Sequence, residues 1–255
     1  MIFNQVPHLE VALQGLSFIE AVVIPRLASL LVSHGLQSLF NISLAHRHFA
    51  LNSQEEQLVR LKSERCGLPV AHVFRKGSPD PVIMHKYDLR MPEDANIVPD
   101  TFMICDNELL PYEFSCVESG EARRNLQAIQ AMRSQKEFLE GWSRVLLEHE
   151  IEGRIGVALR EEEEVMDKDS SRVPGVMVFD VEDRVDILYM PTKQFQMSVS
   201  PDAPPAEWEV GRRTQDGVYE CPRTRFCRDW MCSCGTVNSG PYCTTCGAPR
   251  RVSEN

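Results

Sequence analysis

Six of the nine cysteines in this chain fall between Cys221 and Cys246. The densest part reads Cys232-Ser233-Cys234-Gly235 and then Cys243-Thr244-Thr245-Cys246-Gly247. Structural Zn²⁺ takes four ligands in a tetrahedron, and thiolates suit it best. Two cysteines close in sequence grip one edge of that tetrahedron, and the glycine after each pair lets the backbone turn back without a Cβ clash. The N-terminus lacks a basic segment leading into an apolar one, so no secretory signal is expected and an intracellular location is. In that setting the cluster reads as metal binding before disulfide, which is the competing reading. The expected ligands of one Zn²⁺ are Cys232, Cys234, Cys243 and Cys246. Cys227 with Cys232 is a substitute first pair; Cys221 and Cys227 are otherwise spare or serve a second site.

The run Asp229-Trp230-x-Cys232-x-Cys234-Gly235-x-x-Asn238-x4-Cys243-x2-Cys246-Gly247-x-Pro249-Arg250 resembles the zinc fingers of the Ran-binding-protein (nucleoporin) type. The likeness covers about the last 25 residues. It implies that Trp230 packs under the metal site and that Asn238 ties the loop. The first hook is one residue shorter than that pattern, and the gap from Asn238 to Cys243 is also shorter than usual. Such fingers bind ubiquitin or single-stranded RNA. Gly235-Thr236 stands where ubiquitin binders of the family carry Thr-Phe. Ser239-Gly240-Pro241-Tyr242 stands where RNA binders carry paired arginines. Tyr242, Arg250 and Arg251 are left to stack on or pair with a nucleic acid. The resemblance therefore implies a purely structural or protein-contacting finger before a reader of single-stranded RNA.

Charge separates the tail from the body. Residues 1–200 carry 20 Lys/Arg against 30 Asp/Glu, while residues 201–255 carry 7 against 7. An acidic body repels a phosphate backbone, so wrapping of duplex DNA is not expected. The most apolar run, Ala21 to Val32, contains Pro25 and Arg26 and is too short to span a bilayer, so no membrane segment is expected.

The body alternates between two periods. An apolar helix is expected to end at Gly35, a residue suited to the left-handed position after a helix. From Phe40 to Phe49 the period is two, with Phe40, Ile42, Leu44, His46 and His48 on one face of a strand. Gln57–Lys62, Val70–Arg75 and Val82–Leu89 read as further strands, with a turn at Cys66-Gly67-Leu68-Pro69. Phe102–Cys105 and Leu110–Ser115 flank Asp106-Asn107-Glu108 as a hairpin. Helix returns after Gly120, with Leu126, Ile129 and Met132 on one stripe and Phe138, Trp142, Val145 and Leu146 on a stronger one. Arg154–Leu159 is a short strand, Glu161–Asp169 a solvated acidic loop, and Val176–Val181 with Val185–Met190 a second hairpin. The expected fold class is α+β: mixed or antiparallel strands with segregated helices, plus a small C-terminal zinc finger. The expected domains are a body over 1–200, a Pro-rich linker over 201–220 built on Pro201, Pro204 and Pro205, and a cysteine-rich tail over 221–255.

The body offers one further constellation, His46-Arg47-His48. On a strand, both rings would share a face and could hold one metal. That geometry resembles the His-x-His of cupin barrels, whose acidic ligand follows a few residues later. Glu55 and Glu56 follow here at a longer gap, and His72 and His85 are candidate third ligands. The competing reading is a pair of buried, hydrogen-bonded histidines. His46, His48 and Glu55 are the candidate catalytic residues of a small metal-dependent enzyme. More loosely, residues 18–160, with His-Arg-His-Phe, Pro-Tyr-Glu-Phe and Arg-Ile-Gly-Val, resemble uncharacterised fungal proteins. The leading expectation is a zinc-binding intracellular interaction protein with a protein partner or, second, single-stranded RNA. The metal-dependent enzyme is the alternative.

Overall fold

The structure is a computed structural model that describes residues 2–62, 69–160, 175–180, 183–189, 204–211 and 213–230. After a short turn at Phe3–Gln5, the chain forms α1 (Leu9–Ala12), α2 (Leu16–Phe18), a π-helical turn (Ile19–Val23) and α3 (Ile24–Ser33). Pro25 sits at the start of α3. Proline lacks an N–H and its ring crowds the preceding turn, so a wide π turn directly before it keeps the helix continuous. The helix stops where Gly35 adopts φ +69°, and Leu36 N–H donates back to Leu31 O at 2.8 Å. This is the expected C-terminal signal. Leu16–Ser33 is thus one apolar helical run of 18 residues with mean hydropathy 1.7, long enough by composition to cross a membrane. The sequence reading took only Ala21–Val32 as the apolar run and left the start of the helix open, so it missed this length. In the fold, Ile19, Val23, Leu27, Ala28 and Leu31 bury against the sheet.

The strands are β1 (Phe40–Leu44), β2 (Glu56–Lys62), β3 (Pro69–Arg75), β4 (Ser78–Pro79), β5 (Asn96–Cys105), β6 (Glu108–Val117), β7 (Ile155–Leu159), β8 (Gly175–Asp180), β9 (Val185–Tyr189), β10 (Pro205–Trp208) and β11 (Arg223–Trp230). Between them lie α4 (Pro81–Lys86), α5 (Ser119–Arg133) and α6 (Lys136–Glu148). The pairing order is β2-β6-β5-β7-β1-β10-β11-β8-β9-β3-β4, and an additional β2–β3 pairing joins the order back on itself. The sheet is therefore a barrel-like ring with β4 as an appendage. Its pairs are antiparallel except β2–β6 and β8–β11. Ring closure leaves few free edges, which protects the strands from edge-to-edge association.

Three expectations change. The strand expected over Phe40–Phe49 ends at Leu44. The strand expected over Val82–Leu89 is α4: Asp80 caps it by accepting from Val82 N–H at 2.8 Å, and Pro81 occupies the first turn. Asp-Pro is a helix-start signal that outweighs the β-branched residues after it. The stretch expected to be linker supplies β10, which pairs with β1 and β11, and β11 in turn begins the stretch expected to be tail. Prolines at strand ends are compatible with pairing, and Pro205 stands at the first position of β10. The turn at 66–69 lies mostly, and the acidic loop at 161–169 wholly, outside the described residues.

Alternation along the strands sorts side chains between two faces. Phe40, Ile42 and Leu44 of β1, Phe102 and Ile104 of β5, Ile155 and Val157 of β7 and Trp208 of β10 point outward. They meet Leu27 and Leu31 of α3 and Phe138, Trp142 and Leu146 of α6 in one apolar cluster. Gly156 sits where a Cβ would come within 2.0 Å of the Phe102 carbonyl oxygen, so the β5–β7 crossing requires glycine there. Glu20 ties the N-terminal helix to the ring. Its carboxylate accepts from Trp208 Nε1 at 2.9 Å and from Arg223 at 2.7 and 2.6 Å.

Candidate functional site

The residues between those outward positions face into the ring: Asn41 and Ser43 on β1, Arg60 on β2, Asp186 on β9, Glu207 on β10 and Arg225 on β11. β5 carries register shifts around Thr101, where its partner β6 runs from Pro111 to Glu113. Such a bulge re-aims side chains. It brings the sequence neighbours Asp100 and Thr101 into one inner network and lets Tyr112 and Glu113 both reach the interior.

The network is dense. Arg60 donates to Asp100 at 3.0 Å and lies 3.5 Å from Glu113. Thr101 Oγ1 lies 2.9 Å from Asp100 and 3.2 Å from Glu113, and Ser115 donates to Asp100. Arg225 pairs with Glu207 at 3.1 Å, and Asn41 Nδ2 donates to the same carboxylate. A narrow cleft runs past Ser43, His46, Arg60, Tyr112, Glu113, Glu207 and Arg225. Four carboxyls (Asp100, Glu113, Asp186, Glu207) thus share a low-dielectric space with two guanidiniums.

That imbalance sets the protonation states. Burial lifts Glu113 to about 7; the Arg60 charge pulls it down and the Asp100 charge pushes it further up. Burial lifts Asp186 well above the usual carboxylate range, and the Glu113 charge adds to this. Burial raises the Tyr112 phenol too, so it stays a hydrogen-bond donor at neutral pH. A carboxyl titrating near 7 can give or take a proton, which is what acid–base work demands.

His46 and His48 lie just past β1, in a segment that folds back over the N-terminus. Arg47 N–H donates to Pro7 O at 3.0 Å and its Nε to Val6 O at 3.0 Å, while Asn4 and Leu51 exchange two hydrogen bonds. Phe3, Val6, Ala45, Phe49 and Leu51 pack with Leu58, Ala71, Val73, Met103 and Tyr112 as a plug on the inner face. Both histidines are buried, with ring centroids 4.9 Å apart, and His48 stacks on Phe179 at 4.1 Å. His46 Nδ1 is 2.7 Å from the Leu44 carbonyl. Burial pushes its pKa down to about 4, so the ring is neutral at pH 7 and borders the cleft. Glu55 is exposed and pairs with Lys76 at 3.3 Å, away from the histidines. Glu56 is spent on Arg184 and Arg75, at 2.8 and 2.9 Å. His72 points outward from β3, fully buried beside Phe74, and neither ring nitrogen has a hydrogen-bond partner among the described residues.

Among the described residues, no group of three His, Cys, Asp or Glu is placed to hold a metal ion. Cys232, Cys234, Cys243 and Cys246 lie outside those residues, as do Asn238 and Arg250. Cys221 is half-buried before β11, its thiol pushed up to about 12 by burial. The sequence reading missed Arg60, Asp100, Glu113, Asp186, Glu207 and Arg225. Each is a charged residue in an alternating strand, the same pattern that a solvent-facing position writes. The signal that separates the two cases is ring closure, which no local window contains. Compared with family models, with curated proteins and with solved structures, the chain matches none.

Proposed function

We propose that this chain is an intracellular zinc-binding interaction protein. Its barrel is a rigid base, and its cysteine-rich C-terminal segment is the contact element. The observation that carries the reading is the pair of cysteine hooks with their Trp230 and Asn238 frame. Four thiols in two hooks are the donor set that structural Zn²⁺ selects, and binding supplies the folding energy that so short a segment cannot draw from a core. The hooks start two residues after Trp230, the last residue of β11.

Metal analysis of the reduced full chain tests this. One zinc per chain is expected. Cys243→Ser or Cys246→Ser should lose it while the barrel keeps its thermal transition. A reduced chain that purifies without zinc, or native disulfides among these thiols, overturns the proposal. Single-stranded RNA is the second partner class. It predicts binding that weakens with salt and on replacing Arg250 and Arg251 by Ala; salt-independent binding leaves the protein partner.

A further inference from the structure

The geometry points to the interior cleft as a binding site for a single water molecule, through which the Glu113 carboxyl exchanges its proton with solvent. The inference is independent of the C-terminal cysteines.

Three observations converge. The first is size. The cleft is open at one side and has room inside for about one water. An organic ligand does not fit. Glu113 lines the cleft, and 17% of its side chain remains accessible, so the space reaches this residue.

The second is the lining. Cavities that stay dry are apolar, whereas a bound water needs about three polar partners. Ser43, Thr101 and Tyr112 bring hydroxyls to the wall, and His46 and Glu113 border the same space. Burial keeps the Tyr112 phenol protonated at neutral pH, so it can donate. His46 Nδ1 lies 2.7 Å from the Leu44 carbonyl, which only accepts. Nδ1 therefore carries the proton of the neutral ring, and Nε2 is an acceptor.

The third is charge. Arg60 is matched by Asp100, and Arg225 by Glu207. Burial favours the protonated forms of the remaining carboxyls, Glu113 and Asp186. An interior in that state is balanced and draws neither a cation nor an anion. It suits a neutral molecule that both donates and accepts.

The groups facing Glu113 are Arg60 on β2, Asp100 on β5, Tyr112 beside it on β6, Asp186 on β9, Glu207 on β10, Arg225 on β11 and the neutral His46 past β1. When Glu113 ionises, its O–H bond breaks and the proton passes to the bound water. That water gives up one of its own protons to the next water at the mouth. It then stays as a donor to the carboxylate and stabilises the ionised form.

Two measurements on the full chain test this. Relaxation dispersion of water ¹⁷O counts long-lived internal waters. Carboxyl ¹³C NMR, assigned through the backbone of labelled protein, follows the Glu113 titration. Ala158 lines the cleft from β7, and Ala158→Val adds two methyl groups there. Wild type is expected to hold one more long-lived water than the variant and to show a single averaged Glu113 line throughout its titration. In the variant the midpoint should rise by about one pH unit or more, because the ionised form loses its water. The line should also broaden or split as proton exchange slows. Ala206→Val fills the same space from β10 and serves if Ala158→Val does not fold. Equal water counts, an unchanged midpoint or a variant line that stays sharply averaged overturns the inference.

Discussion

The two faces of the barrel wall solve opposite problems with the same strands. Outward, Phe40, Phe102, Val157 and Trp208 meet Leu27, Phe138 and Trp142, and the contact is apolar and well filled. Inward, Arg60, Asp100 and Glu113 on one side and Glu207 and Arg225 on the other are charged, and a narrow cleft runs past them. Burying apolar area stabilises at roughly 25 cal/mol per Å², whereas burying charge costs unless every group is paired. Stability therefore comes from the outer face, and the inner face draws on it. A chain selected for stability alone would have filled the ring with aliphatic side chains, so the polar interior is the part that calls for a functional account.

Truncation of the outer wall should have the largest effect. Trp142 is fully buried between helix and sheet. Trp142→Ala should cost about 3–5 kcal/mol, read as a shift in the denaturant midpoint. A loss below about 1 kcal/mol would mean that the helices are dispensable cladding and would reverse the comparison.

The inner wall should instead show itself through pH. Glu113 titrates near 7 when folded, against an ordinary value of 4.5. A raised acid binds more protons folded than unfolded between those values. Its contribution is full below pH 4.5, falls as pH rises toward 7, and is lost above. Wild type should thus lose on the order of 3 kcal/mol from this group across the window. Glu113→Gln should remove that slope, measured by chemical unfolding at pH 5 and pH 7.5. An identical slope in the variant would show that Glu113 is solvated rather than enclosed.

His72 sharpens the contrast, because it is a polar group stranded on the outer face. Burial lowers its pKa to about 4 from 6.5, with a weaker opposing contribution from the Val73 backbone. Its penalty is absent above pH 6.5 and grows as pH falls toward 4, since the unfolded ring takes a proton that the folded ring refuses. Removing its two orphaned ring nitrogens should make His72→Leu stabilising by about 1 kcal/mol at pH 7, and the protonation penalty adds to this at pH 5. Destabilisation at both values would reveal a partner that the orphaned nitrogens do not show.

What could be read from the sequence follows the same division. The outer face writes itself into local patterns. The stripe Phe138, Trp142, Val145, Leu146 gave α6, the Asp106-Asn107 turn gave the β5–β6 hairpin, and Gly35 gave the end of α3. The inner face does not. Arg60 between Val59 and Leu61 reads as a solvated position unless one knows that β2 closes onto β3. His46 and His48 were expected on a strand face, yet the strand stops at Leu44 and the pair is buried in the plug over the interior. The prolines after Ser200 marked an apparent linker because composition reports local stiffness, not which edge a segment pairs with.

The place of β10 and β11 in the ring has a consequence for how the protein is made. β1 is complete within the first 44 residues, but one of its two neighbours is β10, at Pro205–Trp208. A ribosome releases the chain from its N-terminus, so β1 emerges long before that neighbour exists. Until residues near 230 have left the exit tunnel, the ring stands open with β1 at one lip and β8 at the other. The charged interior is then wet, and Glu20 waits for Arg223, 203 positions downstream. Contacts of such separation form late, and open strand edges are sticky while they wait. Closure of the barrel therefore waits for β11, the strand that leads into the cysteine hooks.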